Sequence, residues 1–381
     1  MTSLGAREQH GAAVVTPPDA GERAASPART IFLAFVASRL VVLAAALVAE
    51  NLVVRNPRLT SGDVSPILRS LTSWDGWWYL GIARDGYHVA PQAAAFHDYV
   101  FPPLFPALLR VISAPVPGLV GPLSVVLANG LFLVGLFLLY RLTCRVLDPG
   151  RAVRSCVLLC LFPFSAVFSM AYTESLFLVL MVGSLLAAER GQAPRSAILA
   201  ALAGATRLVG VLLVLPLGLI LWQRLADRRR LMWLAVVPVG ALLFVLYVAG
   251  LTGHLTGLLE AQAAWGRSGL TPGPADGDAI AKASPLGVAL VLTFFCYVFL
   301  FVFFRTDRIP VAYALLAAVL LLVPVLSGSL DSIGRYGMIA FPFVWALAGR
   351  GSRAMRYGWP VVSTLLLGGF SLLFFSGWYY P

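Results

Sequence analysis

In 381 residues this chain carries 59% hydrophobic but only 12% charged side chains, whereas soluble domains have roughly 25% charged residues. The net charge of +11 is spread in short clusters between apolar runs, which argues against a nucleic-acid partner and is typical of the signals that orient membrane helices. The composition therefore excludes a soluble globular domain and predicts an all-α protein that crosses the membrane many times.

The first residues of the chain differ in composition from those that follow. Residues 1–28 are rich in Ala, Pro, Gly and charged side chains, which predicts a disordered cytoplasmic tail. The first apolar run begins near Ile31 and lacks a convincing small-residue cleavage site, so a signal peptide is not expected. The remainder, residues 29–381, is predicted to form a single transmembrane domain.

Ten apolar runs are candidates for membrane-spanning helices, each of which needs about 20 residues to cross a bilayer. They are 30–49, 121–141, 155–171, 175–188, 196–222, 231–250, 286–304, 309–326, 336–348 and 358–376. Arginine clusters between the runs should face the cytoplasm. These clusters lie around Arg29, Arg145, Arg190, Arg224, Arg305 and Arg353.

The run 196–222 is unusual because basic clusters flank it at both ends. Arg207 lies near its middle, so we predict two short crossings, 196–206 and 208–222, that meet near Arg207 at the outer face. A single helix with one misplaced cluster is the alternative. With the split, the chain has about eleven spans, with the amino terminus inside the cell and the carboxyl terminus outside.

This topology puts the long polar segments on one side of the plasma membrane. The first extracytoplasmic loop covers 50–103, and a second large one covers 251–285. The short connections 172–174 and 327–335 are also outside, whereas the cytoplasmic connections are short and basic. None of them is large enough for a nucleotide-binding domain. We therefore expect the polar chemistry of this protein at the extracytoplasmic face.

An acidic residue in the first loop stands among aromatic side chains, in the stretch Ser73-Trp74-Asp75-Gly76-Trp77-Trp78-Tyr79. Trp and Tyr favour the membrane–water interface, where a carboxylate is costly. Ser73 can cap a short helix over 74–84 that ends at Asp85-Gly86, with the glycine in a left-handed cap. Asp75 would then lie in the first turn, where the helix dipole favours its ionised form.

Two roles suit an ionised Asp75, and a third interpretation gives it none. It could act as a general base on a sugar hydroxyl. It could also ligate a divalent cation such as Mg²⁺ or Mn²⁺, although the sequence leaves the cofactor unknown. In the third interpretation Asp75 is only a second capping residue among interface anchors.

Further polar candidates follow along the chain. His97 and Asp98 lie in an aromatic loop, where they could assist the base, hold a metal, or be a plain loop pair. Glu174 begins a helix at the outer face, where it either satisfies the helix dipole or belongs to a site. Arg39 lies near the middle of the first apolar run, where an internal ion pair is favoured over a ligand contact.

Arg207 and Arg335 are basic groups on the outer face, against the prevailing charge rule. Because arginine binds phosphate oxygens in a bidentate manner, a phosphate on a lipid carrier would attract both. The alternative is that they pair with Glu174, Asp331 or Asp98.

The order of these motifs resembles a known family. The matching pieces are Trp74-Asp75-Gly76-x-Trp78-Tyr79 with Ile82-Ala83-x-x-Gly86-Tyr87, Phe101-Pro102-Pro103-Leu104-Phe105-Pro106, Tyr172-Thr173-Glu174-Ser175-Leu176-Phe177, Thr206-Arg207-x-x-Gly210, and Gly334-Arg335-Tyr336. Together they resemble PIG-V-like mannosyltransferases, the bacterial relatives of the enzyme that adds the second mannose to glycosylphosphatidylinositol anchors. The resemblance covers most of 30–350 and departs mildly at Pro103 and Thr173.

The resemblance implies a GT-C fold with its site at the extracytoplasmic face and a polyprenyl-phosphate hexose, expected to be mannose, as donor. Asp75 would be the base that deprotonates the acceptor hydroxyl. Arg335, Arg207 and Tyr336 would hold the donor phosphate. The supporting site residues are Trp74, Trp78, Tyr79, His97, Asp98 and Glu174.

The acceptor stays open among a glycolipid, a polysaccharide and a protein. A transporter or flippase for lipid-linked sugars is the alternative function, and Arg39 is the main feature in its favour. Transporters usually carry internal repeats, and no convincing repeat occurs here. A structural or assembly subunit, in which Asp75 would be only a cap, is a third hypothesis.

Overall fold

The computed structural model describes residues 26–57, 59, 65–88, 97–265, 285–304, 309–326 and 333–379. Within these ranges the chain is predominantly helical and contains no β-strand. The α-helices are α1 (Pro27–Leu52), α2 (Pro66–Leu71), α3 (Asp75–Asp85), α4 (Leu104–Ser113), α5 (Val120–Val146), α6 (Pro149–Leu161), α7 (Glu174–Glu189), α8 (Ala193–Thr206), α9 (Val214–Arg224), α10 (Val239–Thr252), α11 (Gly257–Ala264), α12 (Pro285–Phe304), α13 (Val311–Leu326), α14 (Ile333–Ile339), α15 (Pro342–Gly349) and α16 (Trp359–Ser376).

Short 3-10 helices connect several of these elements. They cover Asp98–Val100, Pro117–Leu119, Ser165–Phe168, Leu208–Leu213 and Arg228–Val236, and a π-helical turn covers Ala354–Gly358. The 3-10 segment Leu208–Leu213 continues directly into α9, and Arg228–Val236 lies just before α10.

Four continuous helical segments are long and apolar enough to cross a membrane. They are Pro27–Leu52, Pro117–Val146, Arg228–Thr252 and Ala354–Ser376, and shorter apolar helices accompany them. The prediction of an all-α, multi-pass membrane protein is confirmed. The number of about eleven spans stays a prediction, as does the orientation of the chain relative to the cytoplasm.

Helix α7 forms the centre of the bundle. Nearly all its residues are buried, from Glu174 to Glu189, as expected for a helix that is apolar all round. It packs against α5 and α8, while α1 packs against α16 on the periphery. Gly135 of α5 allows the close approach to α7, because a Cβ there would lie 3.0 Å from the Leu178 side chain. Glu174 therefore lies at one end of the most enclosed helix.

The predicted break at Arg207 is confirmed. Helix α8 ends at Thr206, and Arg207 takes an extended conformation with φ −149° and ψ 129° before the chain re-enters helix. Gly210 makes the tight return possible, because a Cβ there would lie 2.5 Å from the backbone nitrogen of Gly204. This hairpin puts Arg207 at its tip.

The opposite end of the bundle gathers arginines from the predicted cytoplasmic clusters. The Glu189 carboxylate forms a 2.8 Å salt bridge with Arg224. The backbone carbonyl of Glu189 accepts a 2.8 Å hydrogen bond from Arg145. The ends of α5, α7 and α9 are thus joined away from Arg207. We refer below to the end that carries Arg207 as the site end.

The prediction that Ser73 caps α3 is wrong. The helix begins at Asp75 with Trp74 in the N-cap position, so Ser73 lies one residue before the N-cap. Its hydroxyl donates to the Ser70 carbonyl at 2.8 Å. Gly86 does end the helix, but with φ 86° and ψ −167° it is not in the left-handed helical conformation. That extended positive-φ conformation is also one that glycine adopts most readily.

The predicted ion pair of Arg39 is also wrong. Its guanidinium is buried and donates to Ser169 Oγ at 2.8 Å and Ser165 Oγ at 2.8 Å, and it lies 4.9 Å from the centre of the Phe132 ring. Among the described residues, no carboxylate forms a salt bridge with it. Hydroxyl groups satisfy this cation because the Arg39 side chain reaches the 3-10 turn Ser165–Phe168, where the Ser165 carbonyl also accepts a 3.2 Å hydrogen bond from it.

Several sequence predictions lie wholly or partly outside the described residues. Residues 1–25 of the predicted tail lie outside the described residues, and α1 begins at Pro27, within the predicted boundary of 1–28. The second large loop is described only as far as Trp265. Asp331 and Arg305 also lie outside the described ranges.

Candidate active site

Four alternating charges lie in contact at the site end of the bundle. Arg335 Nη1 donates to Asp75 Oδ2 at 2.6 Å, and Arg335 Nε lies 3.2 Å from Glu174 Oε1. The same Glu174 oxygen accepts a hydrogen bond from Arg207. We call Asp75, Arg335, Glu174 and Arg207 the charge cluster. Its members come from α3, α14, α7 and the tip of the α8–α9 hairpin, so the fold assembles it from distant parts of the chain.

The four side chains differ in their access to solvent. Glu174 is 1% exposed and Arg207 is 9% exposed, whereas Arg335 is 6% and Asp75 is 20% exposed. Two carboxylates and two guanidinium groups give the cluster no net formal charge, and buried ions need such pairing to offset the loss of hydration. Asp75 is therefore the member of the cluster most open to an incoming molecule.

The surroundings of the cluster hold its arginines in the charged form. Burial lowers the pKa of Arg335, but the carboxylates of Asp75 and Glu174 outweigh it, and the net pKa lies well above the ordinary value. The guanidinium carbon of Arg335 lies 5.1 Å from the centre of the Tyr172 ring. That of Arg207 lies 5.0 Å from the Tyr336 ring. Such cation–π contacts add attraction where water is excluded.

The backbone that presents Asp75 is strained. Trp74 has φ 58° and is the one non-glycine residue with positive φ in the described ranges, a conformation that costs of order 1–3 kcal/mol. Its indole Nε1 donates to the Phe374 carbonyl at 3.0 Å, which ties the turn to α16. Gly76 packs closely against Ala171, which lies just before α7. A side chain at Gly76 would be crowded there, because its Cβ would lie 3.3 Å from Ala171 Cβ. These contacts fix the start of α3, and hence Asp75.

Two glycines place Arg335. A Cβ at Gly334 would lie 2.8 Å from the Phe164 ring, and a Cβ at Gly337 would overlap the Tyr297 ring. The Tyr297 hydroxyl also donates to the Gly334 carbonyl at 3.1 Å. Because α14 carries glycine on both sides of Arg335, it can lie directly against these rings and extend the guanidinium toward Asp75.

Aromatic rings from both large loops lie beside α3. Trp78 stacks with Phe101 at 5.9 Å and meets Trp265 edge-on at 5.6 Å between ring centres. Tyr79 meets Phe101 at 5.1 Å. Burial first, and then the charge of Asp75, raise the pKa of Tyr79, so its hydroxyl stays neutral. We call Trp78, Tyr79, Phe101 and Trp265 the aromatic wall.

Trp265 had not been identified as a site residue from the sequence. Its indole Nε1 donates to the His97 carbonyl at 3.3 Å, so the end of α11 is joined to the first loop. The available signal is a tryptophan in a polar segment that the sequence predicts to be extracytoplasmic, but nothing in its neighbours relates it to α3.

His97 and Asp98 are not joined to the charge cluster by an ion pair or hydrogen bond among the described residues. Asp98 accepts a 2.9 Å hydrogen bond from the backbone of His88 and lies 3.2 Å from His88 Nδ1. The His97 ring stacks on Tyr99 at 4.7 Å. The contacts favour the plain loop pair, and assistance to the base stays a prediction.

A divalent cation does not fit the residues at the site. Asp75 and Glu174 both face guanidinium groups, and no group of three or more His, Cys, Asp or Glu side chains that could hold a metal occurs in the described part of the chain. We therefore derive no step through a metal.

Fold and site together define a multi-pass membrane protein with a sequestered, charged centre at one end of its helical bundle. The family model "Mannosyltransferase (PIG-V)" matches residues 28–233, a range that contains Asp75, Glu174 and Arg207 but not Arg335. The chain belongs to this mannosyltransferase family, as the resemblance of its motifs implied.

Individual relatives share part of the chain. GPI alpha-1,6-mannosyltransferase 2 of Rattus norvegicus is 33% identical over 173 residues, which cover 42% of this chain and 34% of the relative. The Homo sapiens protein of the same name is 31% identical over 161 residues, or 40% of this chain and 31% of the relative. The match thus spans about a third of the length of these relatives.

A solved structure extends the comparison to nearly the whole bundle. The apo form of the Archaeoglobus fulgidus oligosaccharyltransferase superposes with a TM-score of 0.51 at 12% identity, covering 93% of this chain and 56% of that one. At this identity the likeness concerns the fold alone. The expected GT-C fold is confirmed.

Proposed function

We propose that this protein is a glycosyltransferase that moves a hexose, specifically mannose, from a polyprenyl-phosphate donor to an acceptor at the extracytoplasmic face of the plasma membrane. The observation that carries the proposal is the 2.6 Å contact between Asp75 and Arg335, which supports pairing Asp75 as proton acceptor with Arg335 as the group that binds phosphate. Membership of the mannosyltransferase family supports the sugar and the reaction class.

Asp75 acts as the general base in this mechanism. Its carboxylate takes the proton from an acceptor hydroxyl while that oxygen attacks the anomeric carbon of the donor. The bond between the anomeric carbon and the phosphate oxygen breaks, and the polyprenyl phosphate leaves with the electron pair. The acceptor, whether glycolipid, polysaccharide or protein, enters from the side on which Asp75 is 20% exposed.

Arg335 and Arg207 stabilise the leaving phosphate. Charge grows on its oxygens as the glycosyl bond breaks, and fixed donors in a water-poor site lower the energy of that state. The ring of Tyr336 makes a cation–π contact with Arg207, and the Glu174 carboxylate contacts both guanidinium groups. The half-buried Trp74 and Trp78 contact the sugar or the acceptor, whereas Tyr79, which is 4% exposed, packs against Phe101 and supports the aromatic wall.

The test is transfer of radiolabelled mannose from polyprenyl-phosphate mannose in membranes that contain this protein. Wild type should convert donor into labelled product, and Asp75→Asn should fold but lose transfer by at least about 100-fold, the scale of general-base catalysis. The matched control is Glu260→Gln, which removes an exposed carboxylate (63% exposed) that contacts His254 and Thr256 rather than the charge cluster, and it should retain activity.

Two results would contradict the proposal. The first is full activity of Asp75→Asn. The second is wild-type protein that moves label across vesicle membranes while the mannose stays on its carrier, which is what a flippase would do.

A further inference from the structure

We propose that Asp75 and the donor phosphate compete for Arg335, so that donor binding itself releases the catalytic carboxylate. This inference rests on the proposed function and adds an order of events to it. The base is held by an arginine until the donor arrives, and only then can it act on the acceptor.

In the structure one oxygen of the proposed base is already engaged. Asp75 Oδ2 accepts a 2.6 Å charge-assisted hydrogen bond from Arg335, which is among the strongest contacts a carboxylate makes in proteins. While Oδ2 accepts this hydrogen bond, an acceptor hydroxyl can give its proton to that oxygen only by sharing it with, or displacing, the guanidinium. Breaking the contact with Arg335 therefore frees Oδ2 for proton transfer.

The cluster contains two carboxylates and two guanidinium groups and is already neutral. A sugar–phosphate–polyprenol diester brings one further negative charge into a centre whose arginines are 6% and 9% exposed. Excess charge is costly in such surroundings, so one carboxylate must withdraw from the arginines when the phosphate binds.

The contacts and the exposure of the two carboxylates indicate which of them moves. Glu174 is 1% exposed and contacts both Arg207 and Arg335. If Glu174 withdrew, its negative charge would be left unpaired inside the bundle. Asp75 contacts Arg335 alone among the arginines of the cluster and is 20% exposed. It can turn toward water and the acceptor at a smaller hydration cost. The geometry therefore assigns Glu174 as the fixed acid and Asp75 as the exchangeable one.

The exchange imposes an order on the two substrates, in which the donor binds before the acceptor is activated. Without donor, Asp75 stays paired and no acceptor hydroxyl is activated. With donor, the phosphate takes Arg335, and the freed carboxylate lies next to the anomeric carbon that the phosphate carries. The same pairing that satisfies a buried arginine in the empty site thus couples activation of the base to the presence of its substrate.

The experiment measures the affinity of purified protein in detergent for farnesyl phosphate, a soluble isoprenyl phosphate. Asp75→Asn keeps the shape of the side chain and removes the competing charge. It should bind the phosphate about tenfold more tightly than wild type, the scale of one charge-assisted hydrogen bond. A variant that abolishes transfer would thereby improve donor binding, which a merely damaged site would not do.

Three controls isolate the exchange. Farnesol lacks the phosphate and should bind wild type and Asp75→Asn equally. Glu260→Gln removes one exposed negative charge and should bind farnesyl phosphate like wild type. Asp75→Glu keeps the charge and should stay within about twofold of wild type. If Asp75→Asn does not fold, Asp75→Ser provides the same comparison, and thermal unfolding verifies each protein.

The outcomes separate this inference from the function on which it rests. Equal or weaker phosphate binding by Asp75→Asn, in a protein whose wild type binds farnesyl phosphate and transfers mannose, overturns the exchange and leaves the transferase intact. Wild type that neither binds the phosphate nor transfers sugar overturns both.

Discussion

Glu174 Oε1 lies 3.2 Å from Arg335 Nε while also accepting a hydrogen bond from Arg207. One buried carboxylate thus joins two arginines that are distant in the sequence. Glu174 is the first residue of the most enclosed helix, α7, so the position of both guanidinium groups is set by the centre of the bundle. The arrangement of the four charged side chains then depends on Glu174 rather than on the loops around it.

Glu174→Gln should therefore destabilise the fold. The variant leaves two buried guanidinium groups with one carboxylate, and breaking a buried pair in this way costs roughly 3–5 kcal/mol. Thermal unfolding in detergent, followed by circular dichroism, measures the loss. Glu260→Gln, on an exposed part of α11, is the control and should unfold like wild type. Equal stability of the two variants would show that Glu174 does not stabilise the charge cluster.

Arg335→Lys should retain the fold but lose catalytic efficiency. The ammonium keeps the charge beside Asp75 but cannot donate in the planar fork that suits a phosphate. We expect kcat/KM for the donor to fall roughly 10- to 100-fold. Arg84→Lys, at an exposed position of α3, is the control and should change little. A lysine variant as efficient as wild type would exclude bidentate phosphate binding.

Much of this site could be predicted from the sequence, because charges stand out against apolar surroundings. Arg207 interrupts an apolar run, and its place between two helices followed from the basic residues at both ends of that run. Asp75, Glu174 and Arg335 stood out in the same way. The all-α, multi-pass class followed from composition alone.

The pairing of these charges could not be predicted. Asp75 and Arg335 are 260 positions apart, and their contact depends on how α14 packs against Phe164 and Tyr297. The sequence predicts Ser73 as the N-cap of α3, whereas the N-cap in the structure is Trp74 in a positive-φ conformation. Such a conformation is stabilised by a tertiary hydrogen bond to α16, which no local pattern reveals. The same holds for Arg39, whose partners are hydroxyl groups on a distant turn.

Gly337→Ala tests the packing that delivers Arg335. The added methyl group would overlap the Tyr297 ring, and overpacking of this kind typically costs about 1–3 kcal/mol. Because α14 must shift, we expect lower stability together with lower transfer activity, measured by unfolding and by the mannose assay. Gly130→Ala in α5 is the control, since nothing lies within 4 Å of its added Cβ. That variant should be as stable as wild type or slightly more so, because alanine favours the helix.

Trp265→Ala should loosen the first loop without unfolding the bundle. The substitution removes the 3.3 Å hydrogen bond to the His97 carbonyl and the ring contacts with Trp78 and Phe101, and truncation of a packed aromatic residue costs roughly 3–5 kcal/mol. Since these contacts join α11 to the aromatic wall, the loss should appear as faster hydrogen exchange over residues 75–88 and 97–103. Trp222→Ala, at the opposite end of the bundle and 58% exposed, removes an equal volume and should leave that exchange unchanged. Identical exchange in the two variants would show that the second loop does not support the first, and that the site depends on the helices alone.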